Sequence, residues 1–166
     1  ERYVYELARF MAERVFTRIF TFGDVTRDFE NGLLQIHIRG KPCLVRGQYH
    51  NPFSLSVIQE ARRATIIHCH QQHVLISSFL ALLGRFLRKK VFVTELGGGG
   101  WDISAYYSTD KWYTGHLHIS EYSRRVYKQL GMSRSHVIYG GVDRGKFFPA
   151  ENFRSDGPVI FVGRLL

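Results

Sequence analysis

Residues 65–100, TIIHCHQQHVLISSFLALLGRFLRKKVFVTELGGGG, decide the fold of this chain. The stretch opens with a short apolar and β-branched run at 65–69 and continues as an apolar segment of helical length at 72–87. A second β-branched run at 91–94 follows and ends in a glycine loop. A strand, a helix and a strand in this order predict parallel strands covered by crossover helices.

The same alternation extends to both sides of this stretch. We expect a helix at 52–64 before it and a short strand at 117–119 after it. A helix at 120–130 follows, begun by Ser120 and ended by Gly131, and then a strand at 136–139 that ends at Gly140 and Gly141. Repeated alternation of this kind indicates a parallel sheet with helices on both faces, so the predicted fold class is α/β.

The first 51 residues follow a different pattern. Apolar positions three and four apart predict an amphipathic helix at 1–14, and the aromatic run at 16–22 predicts a strand. The pair Asn31-Gly32 is typical of a turn, with Leu33, Ile36 and Ile38 on a short strand or hairpin arm. We expect residues 40–51 to form a loop.

Both ends of the sequence suggest a domain boundary. No capping residue precedes the first helix, so we expect the N-terminus to be a cut rather than a natural end. The polar, turn-rich residues 150–157 are expected to be an interdomain linker, and residues 158–166 the first strand of a second domain. Residues 1–149 would then form the first domain, without its own first strand.

Composition excludes several classes of protein. Of 166 residues, 45% are hydrophobic, which argues against a disordered chain, a coiled coil or a collagen-like repeat. The net charge of +9 suits anionic partners: nucleic acid, acidic lipid headgroups or phosphorylated metabolites. Cys43 and Cys69 are expected to be reduced thiols in the cytoplasm, with one disulfide as the alternative.

The apolar run at 74–87 is too short to span a bilayer, which needs about 20 residues. It is expected to be a buried crossover helix. An interfacial membrane helix is the alternative, because the basic residues 88–90 follow it directly.

Candidate site residues gather at the predicted carboxyl ends of the strands, where open α/β sheets bind ligands. His70 ends one strand, and Glu95 and Asp102 flank the glycine loop of the next. Glycines let a backbone approach a ligand closely, and Trp101 could stack on a sugar or another ring. The loop residues are Gly97, Gly98, Gly99 and Gly100.

Other chemistries fit less well. His68, His70 and His73 could form a three-histidine zinc site, but the spacing matches no known metal motif, so no metal is expected. The aromatic residues that follow the loop could line an acceptor groove or belong to the core: Tyr106, Tyr107, Trp112 and Tyr113. The sequence lacks G-x-S-x-G, G-x-x-x-x-G-K-[ST] and a matching G-x-G-x-x-G context, which argues against a serine hydrolase, a P-loop enzyme and a dinucleotide site.

An ordered set of motifs resembles family 4 glycosyltransferases. IYGGVD at 138–143, followed by Phe147, Pro149 and VIFVGRL at 159–165, is similar to the family's "I-P-N-G-V-D-x-x-x-F-x-P" hinge and "V-G-R-L" strand. Earlier segments agree in order: a helix of the type "E-x-x-x-x-E-L-A-x-x-M-A", then IIHCH, VTE with its glycine loop, and ISEYSR. The resemblance implies the first half of a GT-B fold, a Rossmann-like domain that binds the acceptor.

The resemblance also assigns roles. His70, the four loop glycines and Trp101 would face the acceptor, a glycan or a lipid-linked glycan, and Gly163 and Arg164 would bind the nucleotide-sugar donor. Leu96 stands where many relatives have a histidine, so Glu95 or Asp102 would supply polar contacts. Retaining members use front-face substitution, so no nucleophile is assigned, and neither a metal nor another cofactor is expected.

Two other functions stay open at this stage. One is a sugar-nucleotide epimerase of the same fold, and the other is a non-catalytic basic module that binds anionic membrane or nucleic acid. The resemblance favours a hexosyltransferase of polysaccharide biosynthesis, in the cytoplasm or peripheral to the inner face of the cell membrane, with no nucleic-acid partner. The donor-binding segment would lie beyond Leu166, so we expect residues 1–166 alone to be inactive.

Overall fold

A computed structural model describes residues 2–96, 100–126 and 134–141. Its centre is a four-stranded parallel sheet in the order β6-β7-β8-β9, formed by β6 (Ile66–His70), β7 (Lys90–Glu95), β8 (Gly115–His118) and β9 (Ser135–Val137). The helices α2 (Val57–Arg63), α3 (Leu75–Phe86) and α4 (Glu121–Val126) flank it. The predicted α/β class is therefore confirmed, and the sheet is consistent with a Rossmann-like fold.

The core lies where α2 and α3 meet this sheet. Small residues on α3 allow the close packing: Ala81 is fully buried, and a side chain at Gly84 would collide with the γ-methyl group of Val91 on β7. The buried apolar cluster consists of Val57, Ala61, Cys69, Leu80, Ala81, Val91, Val93 and Tyr113. Both cysteines are free thiols, and burial raises the pKa of Cys69 to about 12.

A second, three-stranded sheet follows α1 (Arg2–Ala12). It contains β1 (Thr17–Gly23), β2 (Arg27–Asn31) and β3 (Leu34–Gly40), with β3 in the middle. Antiparallel β2 and β3 form a hairpin at the predicted Asn31-Gly32 turn, where Gly32 has a φ of 58°. Arg18 joins this sheet to α2 through a 2.7 Å ion pair with Glu60.

Residues 40–64 differ most from the prediction. The expected loop contains β4 (Cys43–Leu44) and a single-turn helix at Val45–Gly47, and β4 pairs with β5 (Pro52–Phe53). The predicted helix at 52–64 is therefore too long: Pro52 and Phe53 are extended because they pair with β4, and α2 begins only at Val57. Similarly, α3 begins at Leu75 rather than residue 72, because Val74 is extended.

The predicted linker at 150–157 and the strand at 158–166 lie outside the described residues, so the proposed domain boundaries stay predictions. Within the described part of the chain, no helix combines the length and apolar character needed to cross a membrane.

Candidate functional site

The carboxyl ends of β6, β7 and β8 bring His70, Glu95 and His118 to one edge of the parallel sheet. Glu95 and His118 are register partners on neighbouring strands, and His70 lies one strand away opposite Thr94. Glu95 and His118 are each 1% exposed. Sequence reasoning found His70 and Glu95, but it missed His118 because the residue carries no motif.

His68 and His70 lie on the same face of β6, as their spacing predicts, with ring centroids 4.2 Å apart. The His68 Nε2 atom bonds the Thr94 hydroxyl at 2.7 Å. The buried Nδ1 of His70 has no hydrogen-bond partner among the described residues. Burial, and to a lesser extent the neighbouring His68, lowers the pKa of His70 to about 4, so the ring is neutral at pH 7.

His73 does not join this pair, because its Nδ1 atom bonds the Ser104 hydroxyl at 3.0 Å. The three-histidine arrangement considered from sequence is therefore not assembled. Within residues 2–96, 100–126 and 134–141, no group of three or more histidine, cysteine or acidic side chains is arranged to hold a metal ion.

Glu95 supports the turn that follows β6. Its carboxylate accepts hydrogen bonds from the Gln71 side-chain amide at 3.4 Å and from the Gln72 backbone N–H at 3.3 Å. Gln71 has a φ of 108°, which is rare for a residue other than glycine, and its backbone bonds Thr94 and Ser77 as well. Backbone strain of this kind clusters at functional sites, where surrounding contacts must hold it.

Asp102 connects α3 to the segment after the glycine loop. Its carboxylate accepts hydrogen bonds from the Ser78 hydroxyl and from both the backbone N–H (2.9 Å) and the hydroxyl of Ser104. The residue is 2% exposed and caps a short helix at Ile103–Ala105. These bonds make Asp102 a positioning residue for the loop, and a direct contact with substrate stays a prediction.

The described end of the glycine loop is tightly held. Gly100 donates to the His73 carbonyl at 2.6 Å, and a Cβ there would lie 2.8 Å from Gln48 Oε1 and 2.9 Å from Asn51 Nδ2. A side chain at this position would displace the Gln48 and Asn51 amides, so the close approach favours glycine. Gly97, Gly98 and Gly99 lie outside the described residues, as do the predicted donor-binding Gly163 and Arg164.

Two side chains that carry no recognisable motif, Gln48 and Asn51, hold the backbone of Trp101. Gln48 Oε1 accepts from the Trp101 N–H at 3.0 Å, and the fully buried Asn51 donates to the Trp101 carbonyl at 2.6 Å. Asn51 also accepts from the Leu75 N–H at 3.0 Å, at the start of α3. One buried amide thus joins three segments that are distant in sequence.

The aromatic residues after Trp101 divide into two groups. Tyr106 and Tyr107 are 67% and 70% exposed, and the Tyr106 ring meets Trp101 edge-on at 6.1 Å. Trp112 packs against the core, and Tyr113 belongs to it. The core prediction is therefore confirmed for Trp112 and Tyr113, whereas an acceptor groove lined by the exposed Tyr106 and Tyr107 stays a prediction.

The polar edge at the carboxyl ends of the parallel strands lies where α/β domains of this kind commonly bind their ligands. A sequence model of Glycosyltransferase Family 4 matches residues 1–146 of the chain. The chain therefore belongs to glycosyltransferase family 4. Comparisons with curated proteins and with solved structures found no match.

Proposed function

We propose that this chain supplies the acceptor-binding part of a GT-B glycosyltransferase that transfers a hexosyl group from a nucleotide-sugar to a glycan or lipid-linked acceptor, with retention. The match to the family over residues 1–146 carries this proposal. The polar edge formed by β6, β7 and β8 supports it, because this is where an α/β sheet binds its ligand.

In this proposal His70 meets an acceptor hydroxyl. Its Nδ1 atom is buried and has no partner among the described residues, so the proposal requires a side-chain movement that exposes it; the neutral imidazole can then accept a hydrogen bond from a sugar hydroxyl or donate one to it. Glu95 acts mainly by holding the strained turn beside His70, and the Trp101 region offers an apolar surface for a sugar ring. No metal ion is required for these contacts.

Arg164 is proposed to bind the donor diphosphate next to Gly163. A guanidinium pairs well with phosphate oxygens and would neutralise the charge that develops on the leaving nucleoside diphosphate. This assignment rests on the "V-G-R-L" motif alone.

The test uses the full-length protein encoded by the gene, titrated with nucleotide-sugars by calorimetry. We expect binding, and at least a tenfold weaker Kd in Arg164→Ala. Arg63→Ala, which removes an exposed arginine from α2, should bind as the unmodified protein does. Absence of binding to every nucleotide-sugar would refute the proposal, and a product analysis that found epimerised donor instead of glycosylated acceptor would replace transfer with epimerisation.

We further propose peripheral binding to the cytoplasmic face of an anionic membrane. Phe86, the last residue of α3, is 78% exposed, and the exposed Arg88 and Lys90 follow it in sequence, with Lys90 at the start of β7. An exposed aromatic ring among basic side chains suits the headgroup region of such a membrane.

Flotation with vesicles that contain anionic lipid, at low salt, tests this second proposal. Phe86→Ser should reduce the bound fraction, whereas Phe10→Ser, at an exposed phenylalanine on α1, should not. Failure of the unmodified protein to float with these vesicles would refute the proposed membrane binding.

A further inference from the structure

Arg46 has an unusual backbone conformation. Its φ of 52° and ψ of 30° lie in the left-handed region, inside the short helix Val45–Gly47. Arginine has no side-chain group that makes this region favourable, so neighbouring contacts must hold it there. A backbone conformation this rare indicates that Arg46 has a role beyond forming the loop.

The guanidinium of Arg46 lies over the ring of Trp101 in a cation–π contact. Its Cζ atom is 4.3 Å from the centroid of the indole ring. The backbone of Trp101 is held on both its N–H and its carbonyl, by Gln48 and Asn51. The ring on which the Arg46 guanidinium packs therefore extends from a well-supported segment.

The charge of Arg46 is not neutralised locally. Among the ion pairs and hydrogen bonds of the described residues, none involves its guanidinium, and the residue is exposed. Stacking uses the flat face of a guanidinium and leaves its N–H donors in the plane of the group, where a carboxylate or phosphate can accept two of them at once.

We propose that Arg46, Trp101 and Tyr106 form a recognition site for a saccharide that carries an anionic substituent. The guanidinium pairs with the phosphate or carboxylate, and the exposed Tyr106 ring beside Trp101 packs on the sugar. The site deepens the proposed transferase function, on which it rests, by making the acceptor a charged sugar rather than a neutral one.

The two tryptophans of the chain provide a direct measurement. The titrations use residues 1–166, in which Trp112→Phe leaves Trp101 as the one source of indole fluorescence. This variant is titrated with glucose 6-phosphate, glucuronate, glucose and inorganic phosphate. We expect a saturable change in emission with the two charged sugars, at least tenfold weaker binding of neutral glucose, and weaker binding of phosphate alone.

Arg46→Gln in the same background should weaken binding of both charged sugars at least tenfold, and Arg46→Lys severalfold, because lysine keeps the charge without the planar fork. Arg63→Gln removes an equivalent charge from an exposed position on α2 and should change nothing. Circular dichroism checks that each variant is folded. If an Arg46 variant is not folded, Tyr106→Ser replaces it and should weaken binding of the charged sugars relative to phosphate.

Equal binding of glucose and glucose 6-phosphate, unchanged binding in Arg46→Gln, or no emission change with any charged sugar would overturn the proposal. If glucose 6-phosphate binds and glucuronate does not, the recognised group is a phosphate, and the converse identifies a carboxylate. These titrations contain no nucleotide-sugar. A negative result would therefore refute the anionic-saccharide site without deciding whether the full-length protein binds nucleotide-sugars.

Discussion

Asn51 is the residue whose removal should most disturb the site. Its amide accepts from the Leu75 N–H at 3.0 Å and donates to the Trp101 carbonyl at 2.6 Å and to Gln48 at 3.3 Å. Asn51→Ala leaves the Leu75 N–H and the Trp101 carbonyl without these hydrogen bonds. A buried polar group left unpaired costs about 1–3 kcal/mol. Because Leu75 and Trp101 are half-buried, water can replace part of this loss, and we expect a total of about 2–4 kcal/mol.

Urea denaturation followed by tryptophan fluorescence measures this loss. With an m-value of about 2 kcal/mol/M, the unfolding midpoint should fall by about 1–2 M. The native emission of Trp101 should also shift, since its backbone is no longer held. The matched control is Asn31→Ala, at an exposed position in the β2–β3 hairpin. Losses of about 0.5 kcal/mol or less in both variants would refute the role given to the Asn51 amide.

Three further predictions concern packing, charge and pH. Gly84→Ala should destabilise the fold by about 1–3 kcal/mol in thermal unfolding because its Cβ meets a stiff, buried valine, whereas Gly140→Ala, with open space around it, should be neutral. Glu60→Gln breaks the 2.7 Å ion pair between α2 and β1 and should cost about 1–2 kcal/mol in urea unfolding; no change would show that the pair adds nothing. Folding lowers the pKa of His70 from 6.5 to about 4. Between these two pH values the unfolded chain binds more protons than the folded one, so the free energy of unfolding decreases as the pH falls, by up to about 1.4 kcal/mol per pH unit. Comparison of urea midpoints at pH 7 and pH 5 should show a smaller decrease in His70→Gln than in His50→Gln; equal decreases would contradict the assignment.

Local sequence signals predicted the elements that depend on local chemistry. The Asn31-Gly32 pair forms the expected turn because glycine adopts a positive φ at little cost. The β-branched runs around 66–70 and 91–95 form parallel strands, and Ser120 caps α4 through a 3.0 Å bond from the Ser123 N–H.

Contacts between distant segments could not be predicted in the same way. Asn51 lies 50 positions before Trp101, and an asparagine in a polar loop carries no sign that it will be buried. The late start of the helix predicted at 52–64 has the same origin, because Pro52 and Phe53 are extended by pairing with β4 rather than by their own propensities. Arg46 was missed because a left-handed backbone at arginine follows from its surroundings alone.

The two larger sheets have consequences for how the chain unfolds. Within the described residues no backbone ladder joins the sheet of β1, β2 and β3 to the four-stranded sheet, and every residue of β2 is exposed. Amide protons of β2 should therefore exchange with solvent through a partial opening that leaves β6 and β7 intact. Because the carboxyl edge belongs to the more protected unit, the candidate site can stay assembled while the hairpin opens.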